Sequence, residues 1–177
     1  MNKITVAVLA CLAVGSIGVA NASDLHHTVS VGYAQTHAKY YGASEEMPGF
    51  NIKYHWEDTD TNIGIIGSFA YTRKSESDGD THGKLTYSSY TVGPSYRFNN
   101  YLSGYALVGL GYGKVEAHDE DSSFSMSKTS FAYGAGLQIN PVENVAIDAS
   151  YVYTQFSDGY GSNIDAGTWM LGVGYRF

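Results

Sequence analysis

Large apolar residues alternate with small or polar ones along most of the chain. The last stretch, Asp165–Phe177, shows it best. Trp169, Leu171, Val173, Tyr175 and Phe177 are large and apolar, whereas Ala166, Thr168, Met170, Gly172, Gly174 and Arg176 are mostly small or polar. A period of two predicts a β-strand with one apolar face. The pattern recurs over Thr28–Lys39, Phe50–Glu57, Asn62–Thr72, Leu85–Phe98, Leu102–Val115, Lys128–Asn140 and Val145–Gln155. Eight strands are therefore expected. Pro94 lies inside the fourth and cannot donate to a ladder, so a bulge or a missing hydrogen bond is expected there.

The connectors alternate in length. Asp58–Thr61, Asn99–Tyr101 and Pro141–Asn144 are short, whereas Tyr40–Gly49, Lys74–Lys84, Glu116–Ser127 and Phe156–Ile164 are long and polar. Short turns on one side and longer loops on the other match an up-and-down bacterial barrel with both termini in the periplasm. The apolar faces suit such a barrel. In water each would need a second layer, but in a bilayer lipid covers it once the backbone is paired on both sides. The expected fold is thus all-β: an eight-stranded antiparallel up-and-down transmembrane β-barrel whose last strand pairs with its first. Outward aromatics form two tiers. Tyr54, Trp56, Tyr96, Phe98, Tyr175 and Phe177 lie near the short turns, and Tyr33, Tyr71, Tyr90, Tyr112, Phe131, Tyr153 and Trp169 toward the long loops. Two aromatic girdles mark the two faces of a membrane. The competing reading is a soluble β-sandwich rich in tyrosine.

Residues 1–22 add a compartment. Lys3 precedes an apolar run from Ile4 to Ala20, and Ala20-Asn21-Ala22 is a small-x-small site. This is the pattern of a secretory signal peptide cleaved after Ala22, leaving 23–177 as one barrel domain. Val8-Leu9-Ala10-Cys11 is a weaker lipoprotein-like alternative. Cys11 is the chain's one cysteine, so cleavage at Ala22 leaves no thiol chemistry. Sixteen tyrosines, 21 glycines and three prolines suit a turn-rich β protein, and a net charge of −7 argues against nucleic acid as partner.

Several segments resemble the OmpX/Ail/Lom family of enterobacterial outer-membrane proteins. They are Gly42–Glu57 with GFNIKYHWE, Asn62–Lys74 with the IGSFAYTRKS segment, Gly109–Lys114 with GLGYGK, Tyr133–Asn144 with YGAGLQINPVEN, and Gly167–Phe177 with GTWMLGVGYRF. The terminal Phe also looks like the insertion signal of such barrels. The resemblance spans all eight strands and is weakest in the long loops. It implies a monomeric barrel in the cell outer membrane, with strands protruding beyond the outer leaflet. Adhesion, invasion and serum-resistance proteins belong to the family, as do housekeeping members.

Three residue sets stand out. Lys53, His55, Glu57, Arg97, Asp148 and Arg176 point inward near the short turns. One reading is a catalytic or proton-relay site built on His55 and a carboxylate. The preferred reading is a polar plug, because buried charges must be paired. Lys39, Arg73, Lys84 and Lys114 point outward at the loop-side strand ends, at the height expected for lipopolysaccharide phosphates; ordinary solvated charge is the alternative. Tyr40, Tyr41, Met47, Phe124, Met126, Phe156 and Tyr160 are loop residues that stand out from polar, acidic surroundings, and such residues can anchor a protein partner. Those acids count against heparin-like polyanions. His82 and His118 fall in separate loops, and no histidine set has metal-ligand spacing on a rigid element. No catalytic residue, metal or cofactor is expected. The expected partners are outer-membrane lipid, lipopolysaccharide and host surface, matrix or complement proteins. The alternatives are a structural envelope protein and, more remotely, a lipid-modifying enzyme.

Overall fold

In the computed structural model, residues 25–40, 43–78, 81–119, 122–157 and 163–177 are described. They form β1 (Leu25–Tyr40), β2 (Ala43–Asp58), β3 (Ile63–Asp78), β4 (Thr81–Asn99), β5 (Leu102–Asp119), β6 (Ser122–Val142), β7 (Val145–Ser157) and β8 (Asn163–Arg176). The strands pair antiparallel in chain order, and β1 pairs with β8 to close the barrel. At that seam Val29 faces Tyr175, Val31 faces Val173 and Tyr33 faces Leu171. The backbones of His27 and Phe177 exchange two further hydrogen bonds, at 3.0 and 2.9 Å. Gly32 and Gly172 face each other in the seam, and a Cβ on Gly32 would lie 2.0 Å from the Leu171 carbonyl oxygen. Only glycine permits that approach.

Side-chain parity follows the expected faces. Leu171 is 62 % exposed while its neighbour Met170 is buried. Tyr90, Val92, Tyr96 and Phe98 face out, and Ser89, Thr91, Ser95 and Arg97 face in. So broad an apolar outer surface is too large for a monomer in water and suits hydrocarbon. Among the described residues no helix is long and apolar enough to cross a membrane.

Pro94 behaves as its chemistry demands. It keeps its pairing with Ile65 of β3, but the β4–β5 ladder carries no pair at Gly93 or Pro94; the register resumes unchanged at Ser95 and shifts between Arg97 and Asn99. The short turns carry their own caps. Asp58 Oδ1 accepts from the amides of Asp60 (2.9 Å) and Thr61 (3.3 Å), and Asn62 adopts a positive φ of 59°. Asp and Asn favour such turns because their side chains mimic backbone acceptors and tolerate the left-handed region.

The long connectors are shorter than expected. Most of Tyr40–Gly49, Lys74–Lys84 and Glu116–Ser127, and the ends of Phe156–Ile164, continue as strand. His82 and His118, expected in separate loops, are register partners across β4 and β5. Above the bilayer water solvates both faces of a strand. Apolar alternation then disappears from the sequence while the backbone ladder continues.

These extensions do not close around the barrel. β2 pairs with β3 only from Gly49↔Thr72 to Glu57↔Gly64, and β6 meets β7 no higher than Ala132↔Thr154. Beyond those points β7-β8-β1-β2 form one leaf and β3-β4-β5-β6 another. Side chains still span both clefts: Lys74 pairs with Glu45, and Ser130 donates to the Gln155 carbonyl. The barrel thus has a turn end, which holds Leu25 and Phe177, and a hairpin end with two leaves.

Leu171→Arg places a cation at mid-height on the apolar face. It is expected to cost about 2–4 kcal/mol in bilayer urea unfolding, whereas Glu46→Arg at the hairpin end should cost about 0–1 kcal/mol. Equal losses would contradict a lipid-facing surface.

Candidate functional site

The lumen is filled in layers. Near the turn end, β2 delivers Asn51, Lys53, His55 and Glu57 inward at every second residue, and all four are buried. Lys53 forms an ion pair with Asp148 of β7 and donates to Ser150 Oγ at 2.7 Å and Tyr105 Oη at 3.2 Å. Tyr105 in turn donates to Asp148 Oδ2 at 2.6 Å. Glu57 accepts from Arg97 and, at 2.6 Å, from Ser103 Oγ, with His55 Nε2 at 3.6 Å. Gln138 donates to Asn140 Oδ1 at 3.2 Å, which leaves its own Oε1 to meet His55 Nδ1 at 3.0 Å. That oxygen only accepts, so Nδ1 carries a proton; in the neutral ring Nε2 accepts from Ser95 Oγ at 2.7 Å.

Above this floor lies an apolar layer that includes Ile66, Leu107, Val152 and Met170. A hydroxyl ladder follows: Thr36 meets Thr168 at 2.8 Å and Thr72 at 2.9 Å, and Tyr87 Oη meets Thr154 at 2.8 Å. Met47, Tyr87, Phe156 and Ala166 close the lumen toward the hairpin end. An eight-stranded barrel is just wide enough to be filled by its own side chains. His55 and Glu57 are capped on the hairpin side by that apolar layer and engaged by their neighbours, as the plug reading requires.

All six lumenal residues inferred from sequence lie at this end. The structure brings them into two pairs, Lys53–Asp148 and Arg97–Glu57, with His55 beside Glu57. Arg176 stands apart against His26. Sequence reasoning passed over Tyr105, which bridges Lys53 and Asp148. Its parity with inward Leu107 was the available signal.

The other sets are dispersed. Lys39 and Arg73 are exposed on β1 and β3. Lys84 and Lys114 converge on Glu116, at 3.5 and 2.7 Å, and the Lys114 hydrogen bond holds the Glu116 carboxyl below its ordinary range. One acid thus offsets part of that charge. Of the loop contacts, Met126 is 57 % exposed. Met47 and Phe156 are corrections. Met47 is 2 % exposed and Phe156 6 %, because β2 begins at Ala43 and β7 continues to Ser157, so the strand alternation turns both side chains into the lumen. The side chains of Tyr40 and Phe124 lie outside the described residues, as do Tyr41, Tyr160 and the cleavage site at Ala22. Among the described residues no group of three or more His, Cys, Asp or Glu is placed to hold a metal.

Comparison with known proteins completes the picture. The family described as an outer membrane protein β-barrel domain matches residues 7–177. The attachment invasion locus protein of Yersinia enterocolitica is 48 % identical over 176 residues, covering 96 % of this chain and 94 % of the relative. Outer membrane protein X of Escherichia coli K12 is 46 % identical over 153 residues, 85 % of each chain. The crystal structure of Ail from Yersinia pestis, in complex with the heparin analogue sucrose octasulfate, matches with a TM-score of 0.81 at 44 % identity, covering 87 % of this chain and 99 % of that one.

Asp148→Ala strands the Lys53 ammonium in the lumen and is expected to cost about 3–5 kcal/mol in bilayer urea unfolding. The double change Lys53→Met with Asp148→Leu removes both charges and should recover most of that loss. A double variant as unstable as the single one would show that the pair does more than satisfy itself.

Proposed function

We propose a surface-binding role for this chain, which belongs to the outer membrane β-barrel protein family. The barrel sits in the cell outer membrane. In this reading its hairpin end faces outward, both termini lie in the periplasm, and residues 1–22 form a leader cleaved after Ala22. The role is of the adhesion and invasion type or the serum-resistance type, and the partner is a host surface, matrix or complement protein. Relatives named for attachment and invasion support this.

One observation carries the reading. The part of β6 beyond Ala132 pairs with β5 but not with β7, so Ser122–Phe131 forms the margin of the β3–β6 leaf. An extended segment of a partner can add to such an edge, with backbone hydrogen bonds giving affinity and side chains specificity. Exposed Met126 stands on this margin as an apolar anchor.

Lipopolysaccharide is the proposed neighbour in the membrane. Lys39 and Arg73 are exposed cations, Lys39 facing its register partner Asp165, and the Lys84–Lys114–Glu116 group retains one net charge. The sulfated sugar bound by the Yersinia pestis relative favours a second reading, in which the same cations receive a polyanion. Acids at this end, Glu45, Glu46 and Glu116 among them, oppose it.

Replacing residues 117–127 with a short Gly-Ser turn is expected to lower whole-cell adhesion at least about tenfold while the barrel assembles normally. Retained adhesion would contradict the reading, and an envelope-stress phenotype that survives the replacement would favour a structural role. Changing Lys39, Arg73, Lys84 and Lys114 together to Glu should abolish stabilisation by lipopolysaccharide. Loss of heparin retention without that effect would favour the polyanion reading.

A further inference from the structure

The lumen does not end flush at the turn end. A depression of about 720 Å3 opens there, lined by His26, Arg97, Asn140, Glu143, Asn144 and Arg176 among others. Its floor carries two buried guanidiniums, Arg97 and Arg176, with the carboxylates of Glu57 and Glu143 nearby. Arg97 is 8 % exposed and Arg176 only 5 %. Among the described residues Arg97 pairs with Glu57, a carboxylate it shares with Ser103 and His55. Among the described residues Arg176 has no carboxylate in direct contact, although Glu57 and Glu143 act on it through space. Its Nη2 meets His26 Nδ1, a neutral ring nitrogen when it accepts. The Nε of both arginines is buried and has no hydrogen-bond partner.

An arginine more than nine-tenths buried is costly unless an anion compensates it, and a guanidinium holds its donors in a fork that fits an oxyanion. Everywhere else in this lumen such compensation is built in: Lys53 has Asp148 and Arg97 has Glu57. Among the described buried cations Arg176 is the one with no carboxylate in direct contact, and it stands at the open mouth, where a solute can supply an acceptor. Glu143, exposed on the β6–β7 turn, is the nearby acid that opposes an incoming anion.

We propose that this mouth is an oxyanion-binding site in which Arg176, with Arg97 behind it, receives a phosphate group. The phosphate comes either from a free solute or from a phospholipid headgroup at the membrane edge. The site lies at the opposite end of the barrel from the surface-binding hairpins and does not depend on them.

Inorganic phosphate titrated into the folded protein in octyl glucoside, with chloride at matched ionic strength as control, tests this. Phosphate is expected to raise the thermal unfolding midpoint where chloride does not. Arg176→Gln should weaken the apparent affinity about tenfold, the share of one charge-assisted hydrogen bond. Glu143→Gln lies on an exposed turn and leaves the lumen untouched, so it keeps the test open if Arg176→Gln fails to fold; it should tighten phosphate binding about two- to threefold. Repeating the titration in phosphatidylglycerol bilayers separates the sources: weaker binding than in octyl glucoside assigns the site to headgroups, and equal binding to free phosphate. Two results would overturn the proposal: phosphate stabilising no more than chloride, or an unchanged affinity in Glu143→Gln together with either an unchanged affinity or a failure to fold in Arg176→Gln. An adventitious ion only would show as stabilisation insensitive to both substitutions.

Discussion

Hydrocarbon offers no partner for a peptide N–H or C=O, and this structure is one answer to that constraint. A β-sheet satisfies the constraint only if it has no edge. Closure between β1 and β8 removes the edge, and the His27–Phe177 backbone pair carries the ladder to the last residue. The glycine contact at Gly32 lets the two strands approach at that seam. Where the chain rises into water the constraint lapses. There the ladder opens between β2 and β3 and between β6 and β7, and edges appear that the membrane portion cannot tolerate.

Closure with eight strands sets the interior. The bore is narrow, so its contents must pack and its polar groups must find one another. Tyr105, Lys53, Asp148 and Ser150 form one set, and Glu57, Arg97, His55 and Ser103 another. The apolar layer above them isolates this chemistry from the hairpin end. Binding at the hairpins and polar chemistry in the lumen are therefore separate properties of one scaffold.

The membrane portion was legible in the sequence because lipid imposes a period of two. Trp169, Leu171 and Val173 could face nothing else, and parity alone turned Lys53, His55 and Glu57 inward. The hairpin end was less legible. Above the bilayer no apolar face is required, so the extension of β3 to Asp78 left no alternation to read, and that of β6 back to Ser122 left only Phe124 and Met126 between serines. Phe156 shows the cost: with β7 ended two residues early, a lumenal side chain passed for a surface anchor. Pairings were not legible at all. That Lys53 meets Asp148 while Glu57 takes Arg97 depends on the stagger of strands around the closed barrel, which no single strand encodes.

The dependence of the fold on a non-aqueous surround is the central claim, and it can be measured directly. Residues 23–177 refolded from urea should give a β-rich circular dichroism spectrum and a heat-modifiable monomer band in bilayers or detergent. In plain buffer they should give neither. A monomeric, folded, β-rich chain in buffer without lipid or detergent would contradict the account.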